Sequence, residues 1–220
     1  MMLFITDLLE AVLVADLRQW LENATFVDGK ATAGADARLV KHNTQVAEAD
    51  PHLRAMQGRV KDALQENRLF GMAARPRTIR APLFSRYERG MTYGDHVDNA
   101  VMGGMRVDVS ATIFLSDPQS YEGGELVIAS SAGEQDVKLA AGSAVIYPTT
   151  ALHRVAPVTS GIRLAAVTWV RSLVRDAGCR EILFDLETAR HGIGQRFGKT
   201  AETDLLAKVQ SNLMRRWVED

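Results

Sequence analysis

A chain of 220 residues that is 46% apolar and 24% charged is long enough to bury one substantial core, and its composition excludes the disordered and collagen-like classes. The formal net charge of −1 leaves no basic excess for nucleic acid or an anionic membrane surface, so neither is expected as a partner. Cys179 is the only cysteine, which rules out an intramolecular disulfide and gives no sign of an oxidising compartment; it reads as a small semi-buried residue of a helix.

The opening MMLFI is apolar but lacks a basic flank, and Asp7, Glu10 and Asp16 interrupt any signal-peptide core. No apolar run approaches the roughly 20 residues that cross a bilayer, so a cytoplasmic location is expected. Residues 1–67 read as mainly helical. Val14 to Leu21 is apolar-rich, and Asp50-Pro51 caps and opens a helix with Leu53, Met56, Val60, Ala63 and Leu64 on one stripe, a face suited to packing on a sheet. Between them, residues 28–43 are polar and glycine-containing, a long loop of the kind that borders active sites.

From Thr78 the hydrophobic period changes. Short β-type runs occur at 79–87, 107–115, 126–130, 137–139, 144–147 and 163–170, separated by Asp-Pro, Gly-Gly and Ala-Gly turns. That spacing predicts an α+β fold whose core is an antiparallel jelly roll, the double-stranded β-helix, with N-terminal packing helices and C-terminal helices. Glu122-Gly123-Gly124-Glu125 and Gly142 mark turns and do not resemble phosphate-binding loops. After Val170 two helical patterns follow, one through Ile182, Leu183 and Leu186, the other through Leu205, Leu206, Val209, Leu213 and Trp217. The second stripe, with Lys208, Arg215 and Arg216 off it, packs on the subunit's own core or on a second copy, and self-association through the C-terminal helices is the expectation. The organisation is one domain with a support region at 1–77, a catalytic core at 78–174 and a helical extension at 175–220.

The chemistry concentrates between Arg86 and Arg163. In RYERGMTYGDHVD, His96 and Asp98 are separated by one residue, so an extended backbone points both side chains to the same side. Alone, His-x-Asp is a weak signal that any polar loop can contain. His153, 55 residues after Asp98, lies beside a short β-type run and supplies a second imidazole. Two neutral imidazoles and one carboxylate cover one face of an octahedral iron(II) ion and leave positions open for a chelating co-substrate and dioxygen. His42, His52 and His191 have no such partners: His52 reads as the exposed first turn of a helix, and the other two as loop residues.

Arg163 stands ten residues after His153 and begins the apolar run RLAAVTWV, which reads as a buried strand. A charge there needs a partner. The partner is a structural Asp or Glu, or the far carboxylate of a bound 2-oxo acid such as 2-oxoglutarate, which a fork-shaped guanidinium grips well.

The order Tyr-x-x-Gly, Tyr-x-x-His-x-Asp, then His and an Arg ten later resembles the iron(II)- and 2-oxoglutarate-dependent oxygenases of the prolyl 4-hydroxylase type. More closely, the chain is similar to the bacterial PKHD-type hydroxylases, the PiuC or YbiX group. The likeness includes WLENATFVDGKATAG, HVDNAVMGGMRVDVSATIFLSDP, EGGELVI, YPTTALHRVAPVTSGIRLAAVTWVRSLVRD and ILFDLETA, and extends to about Ala189. The resemblance implies a dioxygenase that hydroxylates its substrate and releases succinate and carbon dioxide. Its cofactors would be iron(II), held by His96, Asp98 and His153, and 2-oxoglutarate as co-substrate, with ascorbate as reductant. Arg163 would anchor the distal carboxylate. Tyr87 would be a further contact to the co-substrate, its other reading being an aromatic packed on the sheet, and Tyr93 would line the substrate side.

The substrate class stays open between a peptidyl residue and a small molecule, since bacterial members are associated with iron uptake and a siderophore would fit that role. Residues 29–43 and 101–105 are the expected specificity loops, and Met102-Gly103-Gly104-Met105 reads as a lid or simply a turn. Two other classes compete: a non-catalytic sensor of iron and 2-oxoglutarate, and a cupin-like metal enzyme that uses no oxo acid.

Overall fold

The computed structural model describes residues 1–219 and is built on two facing antiparallel sheets, with helices packed on the outer face of the larger one. The major sheet has eight strands. Its path runs Leu3–Ile5, Ala144–Pro148, Val109–Phe114, Arg163–Ser172, Leu83–Tyr87, Thr44–Val46 and Phe26–Asp28, with Pro76–Ile79 also pairing Arg163–Ser172. The minor sheet has five, in the order Gly133–Val137, Leu126–Ser130, His153–Val155, Thr92–His96 and Lys41–His42. This is the jelly-roll core expected from the spacing of the β-type runs.

Alternation along the long strand Arg163–Ser172 separates its two faces. Ala166 and Val170 turn outward into a core shared with the helices, while Arg163, Val167 and Trp169 turn toward the minor sheet and line the interior. Helix α1 (Ala11–Asn23) contributes Leu17, Trp20 and Leu21 to the outer core. After the short α2 (Ala35–Leu39), α3 (Leu53–Glu66) adds Val60 and Leu64, and α4 (Arg68–Ala74) adds Phe70. These meet Phe84, Ala111, Ile113 and Ile146 of the sheet, with Trp20 edge-on to Phe84 at a ring separation of 4.9 Å. Each such large apolar side chain withdrawn from water contributes about 1.5–3 kcal/mol.

Local signals set the helix starts. Asp50 accepts from the His52 backbone N–H (2.9 Å) and from the Trp20 indole (3.1 Å), joining the start of α3 to α1, and the Asn67 side chain caps α4 at Phe70 N (2.9 Å). At the C-terminal end, α5 (Ala177–Phe197) begins where Asp176 accepts from Cys179 N (2.7 Å), and α6 (Ala201–Trp217) begins with a reciprocal Thr200–Thr203 capping box. Helix α6 has no buried residue, and Leu205 and Val209 of its apolar stripe stay exposed. The chain end returns to the core through the Val174–Val218 bridge and an Arg106–Glu219 ion pair of 2.7 Å.

Several local expectations change: the run at 79–87 breaks into Pro76–Ile79 and Leu83–Tyr87, and the strand expected at 137–139 is instead Gly133–Val137. Residues 28–43 are not one loop: they hold the end of a major-sheet strand, a 3-10 turn at Gly29–Thr32, α2 and the edge strand Lys41–His42 of the minor sheet. These short elements carry too few residues for a readable period. Segment 1–67 also contributes three major-sheet strands, Leu3–Ile5, Phe26–Asp28 and Thr44–Val46, as well as its helices. Finally, His191 lies within α5, where its Nε2 is 2.9 Å from Arg68 Nη1.

Candidate metal centre and co-substrate cavity

Antiparallel pairing of His153–Val155 with Thr92–His96 sets His153 directly opposite His96, and the two rings lie 4.2 Å apart. Asp98 follows two residues after His96, where the strand has ended, and its carboxylate turns back to them. One ligand atom from each of His96, Asp98 and His153 can be chosen so that all lie within 4.8 Å of one another, a spacing that one metal ion can bridge.

The backbone fixes which imidazole nitrogens are available. His96 Nδ1 is 2.8 Å from the Gly94 carbonyl and His153 Nδ1 is 3.0 Å from the Ala151 carbonyl. Carbonyl oxygens only accept, so both Nδ1 atoms carry hydrogen, which in the neutral imidazole leaves the Nε2 lone pair to face the site. Burial, then the neighbouring His153, hold the His96 pKa down at about 4 against the opposing Gly94 carbonyl and Asp98, so this imidazole is neutral at physiological pH. The carboxylate is oriented from the other sheet: Ser110 Oγ donates to Asp98 Oδ2 at 2.6 Å. That same oxygen is 3.9 Å from His153 Nε2. Tyr93 stacks on His96 at 3.6 Å between centroids, and Tyr147 meets His153 edge-on at 5.1 Å, so aromatic walls flank both rings.

The three residues open into a cavity of about 520 Å³ that also contains Arg163, Tyr87, Tyr93, Lys41, Asn43 and Trp169. Arg163 is 1% exposed, yet its Nε and Nη2 have no hydrogen-bond partner among the described residues. Its Cζ lies 5.2 Å from the Tyr87 ring and 5.5 Å from Phe114, so the guanidinium rests between aromatic faces with donors unused. Unpaired buried donors are costly, and an anion of the right size would satisfy them. Gly124 makes room for this arrangement: at φ +66° a Cβ would stand 3.1 Å from Arg163 Cδ and 2.9 Å from Val158 Cγ2. Tyr87, the register partner of Arg163, is buried beside it, and burial pushes its phenol up to about 12 against the pull of the Arg163 charge, so it is a neutral hydroxyl.

All the residues singled out in the sequence therefore share one cavity. Reading the sequence missed Ser110, Tyr147 and Trp169, and it named the segment 29–43 as a specificity loop without singling out Lys41 or Asn43. Ser110 carried a faint signal, a small hydroxyl on a strand otherwise rich in apolar residues. The segment read as a lid or simply a turn is a tight hairpin, Val101–Met102 with Met105–Arg106, turning on Gly103 and Gly104, both at positive φ. The Arg80 guanidinium donates to its Met102 carbonyl. Among the described residues no helix is long and apolar enough to cross a membrane.

The family model of the 2OG-Fe(II) oxygenase superfamily matches residues 82–171, the segment that holds all four of His96, Asp98, His153 and Arg163. Among solved structures, the chain is similar in fold to a prolyl hydroxylase of Trichoplax adhaerens, with a TM-score of 0.57, 15% identity, and 77% of this chain and 82% of that one covered. It is likewise similar to HygX of Streptomyces hygroscopicus, with a TM-score of 0.56, 16% identity, and 78% and 82% covered. Among curated proteins, a PKHD-type hydroxylase of Acaryochloris marina is 52% identical over 219 residues, covering 100% of both chains. A PKHD-type hydroxylase of Gloeothece citriformis is 52% identical over 221 residues, again covering 100% of both. The jelly-roll fold, the family model and these full-length relatives together make the chain an iron(II)- and 2-oxoglutarate-dependent oxygenase. The chain belongs to the PKHD-type hydroxylases of that superfamily.

Proposed function

We propose that His96, Asp98 and His153 are the iron(II) ligands of this hydroxylase, and that Arg163 and Tyr87 receive the distal carboxylate of 2-oxoglutarate. The observation that carries this reading is a ligand triad, compact enough for one ion, in the same cavity as a buried guanidinium with unused donors. Iron(II) bound there with 2-oxoglutarate would supply oxidation of a substrate C–H bond by dioxygen, the oxo acid leaving as succinate and carbon dioxide. The protein's part is to hold and orient. Carbonyl bonds at both Nδ1 atoms present the Nε2 lone pairs, Ser110 fixes the carboxylate, and the Tyr93 and Tyr147 rings keep bulk water from the imidazoles. Arg163 and Tyr87 set the depth at which the oxo acid lies.

The substrate in this reading is a small molecule or a peptidyl residue, with a link to iron uptake, ascorbate serving as reductant and the reaction taking place in the cytoplasm. Anaerobic titration with iron(II) and 2-oxoglutarate tests the assignment through the visible charge-transfer band of the chelate. The band forms in the wild type, and Arg163→Ala demands far more oxo acid. Iron binding without a band would leave a metal site with no oxo acid, as in the cupin-like alternative. A band with no succinate in the presence of oxygen and substrate would leave a sensor.

A further inference from the structure

The cavity contains further polar groups outside the set assigned to iron and 2-oxoglutarate. Lys41 is 5% exposed, on the edge strand of the minor sheet opposite Tyr93, and its ammonium donates to Thr32 Oγ1 at 3.1 Å and lies 4.9 Å from the Tyr93 ring centroid. Two residues on, Asn43 is 2% exposed, and its side-chain amide lies beside the Tyr87 phenol without a hydrogen-bond partner of ordinary geometry among the described residues. Gly29 brings the backbone so close to this amide that a Cβ would overlap Asn43 Oδ1, so the amide is held in place. Arg80 adds another positive charge to the lining, and Trp169 of the major sheet presents a buried indole N–H with no hydrogen-bond partner among the described residues. Against these cations the cavity offers the Asp98 carboxylate, committed to the metal, and Glu48.

A buried ammonium with one neutral oxygen partner, next to an unpaired amide, costs stability unless something else occupies the site. Burial depresses the Lys41 pKa to about 8, offset in part by Asp98 and Asp28, so it still carries its charge at neutral pH. Resting on the iron and 2-oxoglutarate assignment above, we propose that the substrate is an aromatic or similarly flat molecule bearing a carboxylate. Lys41 and Asn43 receive the carboxylate, and Tyr93 and Trp169 flank the apolar body. This makes Lys41 a specificity residue. A cationic substrate is disfavoured by the same charge.

The test uses the anaerobic iron(II)–2-oxoglutarate complex and three probes of one shape: 3-phenylpropionate, 3-phenylpropan-1-ol and 3-phenylpropylamine. Calorimetry measures each against the wild type, Lys41→Gln and Asn43→Ala, with the oxo acid saturating so that Arg163 is occupied. The carboxylate is expected to bind about tenfold or more tightly than the alcohol or amine in the wild type, and that preference to shrink to about threefold or less in Lys41→Gln. Equal binding of the three probes, undetectable carboxylate binding, or a preference that survives Lys41→Gln would overturn the proposal. A large rise in the 2-oxoglutarate needed for the visible band in Lys41→Gln would also overturn it, by giving Lys41 to the co-substrate. Absence of the band in the wild type would instead sink the iron and 2-oxoglutarate assignment, so the two failures are distinguishable.

Discussion

Ser110 and Asp98 sit on opposite sides of the interior and are joined by a 2.6 Å hydrogen bond to the carboxylate oxygen that faces His153. Asp98 lies just beyond the end of its strand, where backbone pairing no longer restrains it, so the Ser110 hydroxyl is what orients the carboxylate. Ser110→Ala is expected to weaken divalent metal binding about 10–100-fold, as loss of an outer partner to a metal ligand usually does, with little change in thermal stability of the metal-free protein. Competition titration with a chelating dye measures it. Unchanged affinity would mean that Asp98 needs no such support.

Gly124 is open to a sharper test because the atoms nearest to a Cβ built there belong to Val158, Arg163 and Tyr121. Gly124→Ala places a methyl group against Arg163 Cδ at a positive φ. Strain of about 1–2 kcal/mol is expected from the backbone conformation alone. Displacement of the guanidinium should raise the half-saturating concentration of 2-oxoglutarate while metal affinity holds. Equal losses in both would indicate general unfolding of the site.

Lys41 predicts a stability gain on mutation. Its folded pKa of about 8 lies below the ordinary 10.5, so between those values the unfolded chain binds more protons. The Lys41 contribution to stability therefore becomes less unfavourable as pH rises from 8 to 10.5, and below 8 the penalty is fully present. Lys41→Met, which removes the charge, is expected to stabilise the metal-free protein at pH 7 by about 1–2 kcal/mol, or a few degrees in Tm. The gain should fade toward pH 10. A melt series across pH decides it; a destabilised variant at pH 7 would show that the Thr32 bond outweighs the burial cost.

Helix α6 carries the proposal of self-association. Leu205 and Val209 remain exposed on a helix without a single buried residue, and Phe197 at the end of α5 is 71% exposed. Light scattering should find a dimer or larger species, and Leu205→Asp with Val209→Asp should convert it to a monomer of unchanged fold. A monomeric wild type would return the stripe to ordinary surface.

How far the sequence reveals this molecule depends on the length of the signal each element carries. Leu126–Ser130, Ala144–Pro148 and Arg163–Ser172 are apolar runs bounded by turn residues, and their expected and observed ranges nearly coincide. Thr92–His96 contains glycine and polar residues and was legible only through the His-x-Asp pattern that begins at its end. Phe26–Asp28 and Lys41–His42 are strands because neighbours from distant sequence pair with them, which no local pattern can state. Likewise His96, Asp98, His153 and Arg163 were legible because their chemistry is unusual in that order. Lys41 and Asn43 lay in the segment 29–43 expected to set specificity but did not stand out within it, since a lysine and an asparagine in a polar stretch look like solvated surface until the fold buries them.

The two histidines belong to the minor sheet, while the carboxylate between them is tethered to a residue of the major sheet. An ion binding all three groups would thus act as a clasp between the layers at one end of the barrel, where backbone pairing does not cross from one sheet to the other. Loading and stripping the metal should consequently change how readily the sandwich breathes. Amide hydrogen exchange in Thr92–His96, His153–Val155 and Val109–Phe114 should slow together when metal is added and quicken together when a chelator removes it, with the α3 amides as the unresponsive reference.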